Sequence, residues 1–318
     1  MVRLNKRLLI LAVMIGLISL SIIGCTKGKN KEGIIAEVDG EAITQEEFDK
    51  DFELAKKMRQ LQYGKEILSQ EVEDNRIYED VLKEDLLGTL ILDKVINNEL
   101  EKVNIQVTDE EVEEALENHY ITEFGGKDQY KRFLEENDIS EEVIIRDIKR
   151  VLTFEKHREH FFNEVELSED EIKDYFNKNK DSFIKYRISH ILVKTEEEGN
   201  RILEKLKKGE DFHTLVMMES IDSDSAIQGG DLGYFTKESI LQAYKPLGEA
   251  ASKLDIGEIS GLIKTELGYH IILLEDRIDS FEDLREEIME EFKNEKHKEE
   301  IINLKEKANI EIYVDIEE

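Results

Sequence analysis

The sequence predicts an α+β protein in which one α+β block lies between helical segments. Apolar residues recur at helical spacing from residue 44 to about residue 160, and the charged segment 281–307 is also typical of a long helix. Between these regions, residues 186–193 alternate in polarity and residues 269–274 form a short apolar run, as strands do. We therefore expect two helical flanks around a compact mixed block.

The predicted helices have recognisable starts. Four follow the capping-box rule, in which Ser or Thr is followed three residues later by Glu. The pairs are Thr44 with Glu47, Thr108 with Glu111, Ser168 with Glu171, and Thr195 with Glu198. A fifth start, at Ser280, has Asp instead of Glu at the third position. Gly125 and Gly126 interrupt the first helical region, and Gly209 ends the helix predicted over 196–208.

Short strands are expected at the outer ends of the helical flanks. Residues 33–38, followed by Asp39-Gly40, predict a strand and a tight turn, and residues 310–316 alternate as a terminal strand. Two arrangements fit this order of elements. Either three units follow one another, or the two helical flanks pack together and the α+β block is inserted between them.

Composition excludes several classes of function. The chain has 318 residues, enough for two domains, and a formal net charge of −31, which argues against nucleic-acid binding. Its single Cys excludes an intramolecular disulfide framework and a Cys-rich zinc site. The glycines at 229–233 lack the Lys of a phosphate loop, and His157 and His160 are taken as surface residues of a helix. We expect no cofactor and no metal.

The N-terminus reads as an export signal. Arg3, Lys6 and Arg7 precede an apolar run over 8–24, which is short for a helix that spans a bilayer of about 30 Å. The run ends in IIGC, which resembles a bacterial lipobox. That resemblance implies cleavage before Cys25 and attachment of a diacylglycerol to its thiol, which two acyl chains make a stable anchor. The alternative is an uncleaved N-terminal anchor in which Cys25 has no role.

Five short phrases in the α+β block carry a family resemblance when they are taken together. In order, they are SHILV at 189–193, GEDF at 209–212, QGGDLGYF at 228–235, GEISG at 257–261 and TELGYHII at 265–272. Their order and spacing resemble those of parvulin-type peptidyl-prolyl isomerases, over about residues 183–277. With the lipobox and the helical flanks, the whole chain is similar to extracytoplasmic foldase lipoproteins of the PrsA type, which Gram-positive bacteria carry.

The resemblance implies an order of domains along the chain. They are a signal peptide (1–24), a lipidated Cys and tether (25–33), a mainly helical chaperone-like domain (34–182), a parvulin-type domain with a small antiparallel sheet (183–277), and a C-terminal helix and strand (278–318) that pack with the N-terminal domain. Removal of residues 1–24 takes away three basic residues and leaves a net charge of −34. The working protein is therefore expected to be an acidic body, anchored by lipid outside the cell membrane.

Prolyl isomerisation requires rotation about an amide bond against a barrier of about 18–20 kcal/mol. No nucleophile, metal or cofactor is needed if a site binds the twisted imide better than the planar one. Such a site needs an apolar slot for the proline ring and polar groups for the changing charge. The resemblance implies that His190 and His270 form a pair at the base of the site, that Thr265 bonds to it, and that Leu232 and Phe235 line the slot. Histidines satisfied in a core are the alternative.

Two departures from the family pattern bear on catalysis. The family's Cys or Asp before the GDLG phrase falls on Ser223, although a shift of one residue would restore a carboxylate, since Asp lies on both sides. The remaining slot residues fall where the spacing is about three residues longer, with Ile240 and Tyr244 as the best matches and Leu247 as a further candidate. The catalytic set expected from the sequence is therefore His190, His270, Ser223 and Thr265.

The sequence leaves two functions open. One is a membrane-tethered isomerase and foldase that acts on unfolded or partly folded exported polypeptides. The other is a non-catalytic chaperone that uses a degenerate parvulin domain to bind clients. The intact histidines favour the first, and Ser223 with the altered segment 240–247 favours the second. The acidic surface predicts clients with basic patches, and pairing of two copies into a homodimer is a further expectation.

Overall fold

The computed structural model describes residues 26–27, 31–72, 76–240 and 244–314. The predicted signal peptide, Cys25 and part of the tether lie outside these residues. The described chain is a mixture of helices and antiparallel sheet, as predicted. It forms two compact units, one of Met1–Val165 with Lys296–Glu318 and one of Glu166–Glu295. None of the helices in the described ranges has the length and apolar character needed to cross a membrane.

The first unit combines long helices with a four-stranded sheet. Its elements before the chain enters the second unit are β1 (Thr26–Lys27), β2 (Ile34–Val38), β3 (Glu41–Thr44), α1 (Gln45–Tyr63), α2 (Tyr78–Lys102), α3 (Asp109–Ala115), α4 (Lys127–Glu136) and α5 (Glu141–Glu164). A 3₁₀ turn occupies Lys65–Ser69. A π turn at Leu116–Ile121 continues α3 as far as Gly125, where a left-handed glycine ends it.

The second unit contains a second four-stranded sheet, which is antiparallel throughout. Its elements are α6 (Glu169–Lys178), α7 (Lys180–Phe183), β4 (Lys185–Val193), α8 (Glu196–Lys207), α9 (Phe212–Glu219), α10 (Ser223–Ala226), β5 (Asp231–Phe235), α11 (Lys245–Ala251), β6 (Ile263–Lys264) and β7 (Tyr269–Ile278). The helix α12 (Phe281–Lys307) begins in this unit and ends in the first, where β8 (Ile310–Ile312) follows it.

The helix starts follow the predicted side-chain pattern. The capping boxes at Thr108, Ser168 and Thr195 each have both reciprocal hydrogen bonds to the Glu three residues later. Thr44 accepts from the backbone of Glu47, and Ser280 accepts from the backbone N–H of Asp283. Each cap satisfies backbone donors that a helix N-terminus otherwise leaves without a partner.

The sheet of the first unit joins the two ends of the chain. Its strand order is β1-β8-β2-β3, so β8 lies between β1, which is parallel to it, and β2, which is antiparallel. The turn between β2 and β3 is the predicted Asp39-Gly40, with φ angles of +52° and +92°. Positive φ at both central residues is the geometry that favours Asp-Gly in a two-residue hairpin.

The core of the first unit is also shared between its two chain segments. Leu304, Ile310 and Ile312 belong to the same buried cluster as apolar residues of β2, α1 and α2. Ile301 packs with Leu92, Ile96 and Leu100 in a second cluster. The two helical flanks therefore form one body, and the other unit is inserted between them, as the second of the two predicted arrangements requires.

Buried polar groups link α1, α5 and α12 within the first unit. Asp51 accepts from Nη2 of Arg146 at 2.6 Å and from Nη2 of Arg150 at 2.7 Å. Nδ1 of His157 lies 2.9 Å from Nε2 of His297, and both rings are buried. The interpretation of His157 as a surface residue is therefore wrong, because the C-terminal segment returns to cover that face of α5.

The second unit extends beyond the segment 183–277 that carries the family resemblance. The helices α6 and α7 pack with the first half of α12 through aromatic rings, with 4.5 Å between the centroids of Tyr175 and Phe292. Ile184 and Ile278, at the ends of the central strands, contact this cluster. The apolar packing is thus continuous from the sheet to these helices, so the unit begins at Glu166 and ends at Glu295.

Candidate active site

Two buried histidines lie side by side on the central strands of the second unit's sheet, whose order is β5-β4-β7-β6. In the antiparallel register of β4 and β7, His190 is opposite Ile272, and His270 is two residues before Ile272. Residues two apart on a strand share a face, so both rings lie on one face of the sheet. Their centroids are 5.3 Å apart, and neither side chain is exposed.

A chain of hydrogen bonds passes through both rings. Nε2 of His190 lies 2.7 Å from Oδ2 of Asp222 and 3.0 Å from Oγ of Ser225. The two Nδ1 atoms of His190 and His270 are 3.2 Å apart, and Nε2 of His270 is 2.8 Å from Oγ1 of Thr265. The hydroxyl of Ser225 also donates to Oδ2 of Asp222 at 2.7 Å.

The carboxylate at one end of this chain sets the direction of every bond. An ionised Asp222 only accepts, so Nε2 of His190 carries a proton and its Nδ1 accepts. Nδ1 of His270 then donates, which leaves its Nε2 to accept from the hydroxyl of Thr265. The oxygen of that hydroxyl accepts in turn from the backbone N–H of Leu267 at 3.1 Å. All four imidazole nitrogens therefore have a partner while both rings are neutral.

The protonation states expected near pH 7 agree with this direction. Burial lowers the pKa of His190, although the neighbouring Asp222 acts in the opposite sense. Burial and the charge that His190 would carry lower the pKa of His270 to about 4. Burial alone would raise the pKa of Asp222, but hydrogen bonds from Ser225 and His190 outweigh it and lower that pKa. The site therefore holds two neutral imidazoles beside one carboxylate.

Ser223, which the family pattern placed at the catalytic position, does not join this network. Ser223 is exposed, whereas the side chain of Asp222, one position earlier, reaches His190. The short helix α10 begins at Ser223, with Asp222 as the residue before its first turn. One turn of helix then directs Ser225 inward, where it is 7% exposed. The shift of one residue that the sequence left open is therefore present in the structure, where Asp222 and not Ser223 lies beside His190.

Sequence reasoning missed Ser225 and named Asp222 only as a neighbour of Ser223. Asp222 could be recognised from the carboxylates on both sides of Ser223. Ser225 gave no signal, because its hydroxyl reaches His190 only through the turn of α10.

Two glycines hold the backbone of the site in place. The carbonyl of Gly230 accepts from the N–H of His190 at 2.9 Å, and a Cβ on Gly230 would lie 2.4 Å from the carbonyl oxygen of His190. The carbonyl of Gly268 accepts from the N–H of Thr265 at 2.8 Å. Gly230 has φ of +84° and Gly268 has φ of +144°, which favour glycine.

The four residues predicted for the proline slot belong to one apolar cluster. Each is partly buried and packs against the same core: Leu232, Phe235, Ile240 and Tyr244. The ring of Tyr244 stands nearly perpendicular to both imidazoles, with centroids 6.1 Å from His190 and 6.0 Å from His270. Leu247 is fully buried, so it belongs to the core of this cluster and not to an accessible slot.

Within the ranges that the structure describes, no three His, Cys, Asp or Glu side chains are grouped as metal ligands. The histidine nitrogens of the site are occupied by the hydrogen bonds given above. The groups that the site brings together are two neutral imidazoles, a carboxylate and an apolar cluster.

Comparison with known proteins agrees with the two-part architecture. Residues 1–158 match the family model of the SurA-like N-terminal domain, and residues 190–276 match that of the PPIC-type PPIase domain. The second match contains both histidines, Thr265 and the GDLG phrase.

Similar proteins cover most of the chain. The foldase protein PrsA of Caldanaerobacter subterraneus is 32% identical over 84% of this chain and 82% of its own length. That of Halalkalibacterium halodurans is 30% identical over 89% of this chain and 77% of its own length. The solved parvulin NmPin of Nitrosopumilus maritimus is 50% identical, covers 28% of this chain and 94% of its own, and has a TM-score of 0.26. The chain belongs to the PrsA family of foldase proteins and carries a parvulin-type peptidyl-prolyl isomerase domain.

Proposed function

We propose that this protein is a membrane-tethered foldase whose isomerase site is built from His190, His270, Thr265, Asp222 and the adjoining apolar cluster. One observation carries the assignment of these roles. The hydrogen-bond chain that runs from Thr265 through both histidines ends in a carboxylate, and the half-buried Tyr244 packs on both imidazoles of that chain. The polar groups and the apolar surface that the twisted imide requires are thereby placed together.

The apolar cluster binds the proline ring in this proposal. Leu232, Phe235, Ile240 and Tyr244 present apolar surface that is partly accessible and backed by buried residues. Burial of the ring favours binding equally in the planar and the twisted state, so it holds the substrate without changing the barrier. The reduction of the barrier must come from groups that distinguish the two states.

The carboxylate of Asp222 provides that distinction. Conjugation in a planar imide places negative charge on the carbonyl oxygen, and twisting returns that charge to the nitrogen. A fixed negative charge facing the carbonyl therefore destabilises the planar state more than the twisted state. The side chain of Asp222 is 20% exposed, so one face is accessible to substrate while Oδ2 is held by His190 and Ser225.

The histidines and Thr265 act as positioning residues in this mechanism. The charge of Asp222 fixes the tautomer of His190, His190 fixes that of His270, and the hydroxyl of Thr265 donates to the Nε2 of His270 that remains. Because both rings remain neutral, they add no positive charge that would cancel the field of the carboxylate. Substitution of any member of this hydrogen-bond chain therefore leaves Asp222 without its donor from His190 or reverses the direction of one of the hydrogen bonds.

Two adjacent residues give a sharp test of this assignment. Asp222→Asn removes the charge with little change in volume, and Ser223→Ala changes the exposed neighbour that the family pattern indicated. We expect Asp222→Asn to lower kcat/KM on short proline peptides at least about tenfold, and Ser223→Ala to stay within about twofold. His190→Ala and His270→Ala should also lower activity. The assay uses the full chain in lipid nanodiscs, with unfolding curves as a check of folding.

The opposite pattern has a defined meaning. If Ser223→Ala abolished activity while Asp222→Asn did not, the catalytic position would be Ser223. If the wild-type chain accelerated no proline peptide, whatever residue preceded the proline, the site would have no isomerase activity. The alternative function, a non-catalytic chaperone that binds clients through a degenerate parvulin domain, would then apply.

Tethering through Cys25 is the second part of the proposal. The positive N-terminal segment, the apolar run and the IIGC sequence support a lipoprotein signal peptide over 1–24. Cleavage and lipidation would place the protein on the outer face of the cell membrane. We expect the wild-type chain to partition with membranes as a mature lipoprotein. Cys25→Ala should leave residues 1–24 uncleaved, as mass spectrometry of the two forms would reveal; identical processing of both would contradict lipidation.

Clients and assembly complete the proposal. Unfolded or partly folded exported polypeptides are the expected clients, with the isomerase segment 183–277 acting on prolyl bonds and the helical flanks holding the chain. Homodimerisation remains a prediction, and sedimentation velocity of the nanodisc-free mature protein at several concentrations decides it.

A further inference from the structure

The edge of β4 beyond its pairing with β5 is occupied by the chain that leads into Asp222. Backbone groups of alternate residues in a paired strand point to the same side, so those of Leu192 follow those of His190 along this edge. The N–H of Leu192 donates to Oγ of Ser220 at 3.1 Å, and its carbonyl accepts from the N–H of Ile221 at 2.8 Å. Residues 220–221 therefore continue the hydrogen bonding of the sheet where β5 no longer pairs with β4.

The hydroxyl of Ser220 makes a second bond, toward the site. Its oxygen also accepts from the backbone N–H of Asp222 at 3.3 Å. A serine that bonds to the backbone two residues later imitates a backbone turn, so the direction of the chain after Ser220 is fixed. The N–H of Ser220 itself donates to the carbonyl of Val216 at 3.0 Å, where α9 ends. One side-chain oxygen thereby joins the strand that carries His190 to the residue that carries the carboxylate.

These bonds determine which side chain faces His190. Residues 220 and 221 are held along β4, Asp222 comes next, and its Oδ2 lies 2.7 Å from Nε2 of His190. Ser223, one position later, begins α10 and is exposed. His190 and Ser225 hold one oxygen of the carboxylate, whereas Ser220 holds the backbone from which that side chain extends.

We propose that Ser220 is a positioning residue of the isomerase, whose hydroxyl holds the backbone of Asp222 against β4 and so sets the place of the carboxylate. This inference rests on the proposed role of Asp222. The effect of a fixed charge on the imide depends on its distance and direction, and a displacement of about 1 Å can cost as much as 100-fold in rate. Ser220 acts through Asp222 and adds no group of its own to the reaction.

Ser260 provides a matched control in the same unit. Its hydroxyl accepts from the N–H of Ile272 on β7 at 2.9 Å, so Ser260→Ala also removes an acceptor from a central strand. Ser220→Ala and Ser260→Ala each leave a backbone donor without its side-chain partner, and both should lower the urea midpoint. Of these two hydroxyls, Ser220 is the one that also bonds to Asp222.

The kinetic test uses the full chain in lipid nanodiscs and a short proline peptide. Ser220→Ala should lower kcat at least about fivefold and keep KM within about twofold, because the apolar cluster that binds the proline ring is unchanged. Ser220→Thr keeps the hydroxyl and should retain most of kcat, and Ser260→Ala should stay within about twofold. In the Asp222→Asn background, Ser220→Ala should cause no further loss, because the charge that it positions is already gone.

A spectroscopic measurement tests the position of the carboxylate without turnover. When the histidines are labelled with ¹⁵N, the proton on Nε2 of His190 reports on its charge-assisted bond to Asp222. Asp222→Asn should move this resonance, Ser220→Ala should move it in the same direction, and Ser260→Ala should leave it in place. A purely structural role of Ser220 would lower the urea midpoint without this shift.

Each result supports or overturns the inference. A normal kcat with an unmoved resonance in Ser220→Ala would overturn it, as would an equal loss of kcat in Ser260→Ala. A further loss from Ser220→Ala in the Asp222→Asn background would show that Ser220 acts by another route. If Asp222→Asn kept full activity, the proposed role of the carboxylate would fail, and the His190 resonance would still decide whether Ser220 holds Asp222 in place.

Discussion

Thr265 lies at the donor end of the hydrogen-bond chain, and its hydroxyl makes two hydrogen bonds. It donates to Nε2 of His270 and accepts from the N–H of Leu267. Substitution therefore leaves Nε2 of the buried His270 without its donor, which costs more than the loss of an exposed contact. The same reasoning applies to each member of the chain as far as Asp222.

A pair of substitutions at Thr265 separates the hydroxyl from the bulk of the side chain. Thr265→Val keeps the shape and removes the donor, so we expect a loss of about 1–3 kcal/mol in the free energy of unfolding and a clear fall in isomerase activity. Thr265→Ser keeps the hydroxyl and should retain most of both. Urea unfolding and the peptide assay measure the two effects; equal behaviour of the variants would show that the hydroxyl has no role.

The buried His270 makes stability depend on pH. Its pKa of about 4 in the folded protein lies below the ordinary value of 6.5, so the unfolded chain binds more protons between these values. Stability should therefore fall as pH is lowered from about 6.5 to about 4, with a contribution on the order of 3 kcal/mol from this residue. Urea unfolding of wild type and His270→Asn across this range tests it. The variant should have a shallower slope, and parallel slopes would contradict the assignment.

The site residues differ in how far the sequence could identify them. His190, His270 and Thr265 each lie in a phrase whose spacing is regular, so the family resemblance reached the correct positions for the hydrogen-bond chain. Asp222 lies in a loop where one added residue changes the position that faces inward. Counting positions back from Gly230 gave Ser223, because only the turn of α10 determines which side chain reaches His190.

At the scale of elements, Gly230 joins the GDLG turn to the central strand β4. A Cβ there would meet the carbonyl oxygen of His190 at 2.4 Å, whereas a Cβ on Gly233 would meet nothing within 4 Å. Both glycines have positive φ, +84° and +71°. A substitution at either glycine therefore strains the backbone in the same way, but only the substitution at Gly230 adds a steric clash.

Substitution of these two glycines by alanine isolates the clash. Gly233→Ala should cost about 1 kcal/mol, the ordinary cost of a left-handed alanine. Gly230→Ala should cost at least about 2 kcal/mol more, because strand β4 or the turn must move, and it should lower isomerase activity. Urea midpoints and the peptide assay give both quantities. Equal losses in the two variants would mean that the turn accommodates the added carbon.

The helices α5 and α12 are joined by a second histidine pair in the first unit. His157 and His297 share a hydrogen bond, and the ring of Phe154 lies 5.4 Å from that of His297. Burial and the neighbouring His157 lower the pKa of His297 to about 4, so this pair is also neutral near pH 7.

Removal of one ring should loosen this contact between helices. His297→Ala leaves Nδ1 of His157 without its partner and opens a cavity, so we expect a loss of about 2–4 kcal/mol in the free energy of unfolding. His119→Ala, an exposed position of the same unit, should stay within about 0.5 kcal/mol. Chemical denaturation compares them, and a neutral effect of His297→Ala would mean that the pair is not structural.

Elements with local signals were predicted well, and those that depend on distant partners were not. Thr108, Ser168 and Thr195 mark helix starts because a cap satisfies donors within the same turn. The extension of β7 to Ile278 had no such mark, because the strand continues only where β4 is beside it. The same holds for the π turn at Leu116–Ile121, whose residues are ordinary helix formers.

At the scale of the whole molecule, the net charge of −31 gives a prediction about clients. A strongly acidic protein attracts chains with basic patches, and salt screens that attraction beyond about 8–10 Å at physiological ionic strength. We expect the Kd for a basic unfolded protein to rise between low and physiological salt, while that for an acidic unfolded protein changes little. Fluorescence anisotropy measures both, and salt-independent binding of the basic client would exclude electrostatic capture.

The insertion of one unit into the other was one of two arrangements that the sequence allowed. Helical periodicity on both sides of the α+β block says that the flanks are similar in kind, but not that they touch. What joins them are contacts such as the pairing of Ala36 with Ile312 and the packing of Ile301 among residues of α2. The residues that make these contacts are more than 200 positions apart in the sequence, so no local pattern can indicate that they touch.

The position of β8 also determines when this protein can finish folding as the chain emerges during its synthesis. Residues 166–295 contain every strand of their own sheet and emerge first as a complete set. The other sheet is completed only when residues 310–312 follow, since β8 lies between β1 and β2. A chain that lacks residues 310–312 should thus have a finished second unit and, in the first unit, a sheet without its inner strand. Folding of the first unit therefore depends on a strand that is made after the whole of the second unit.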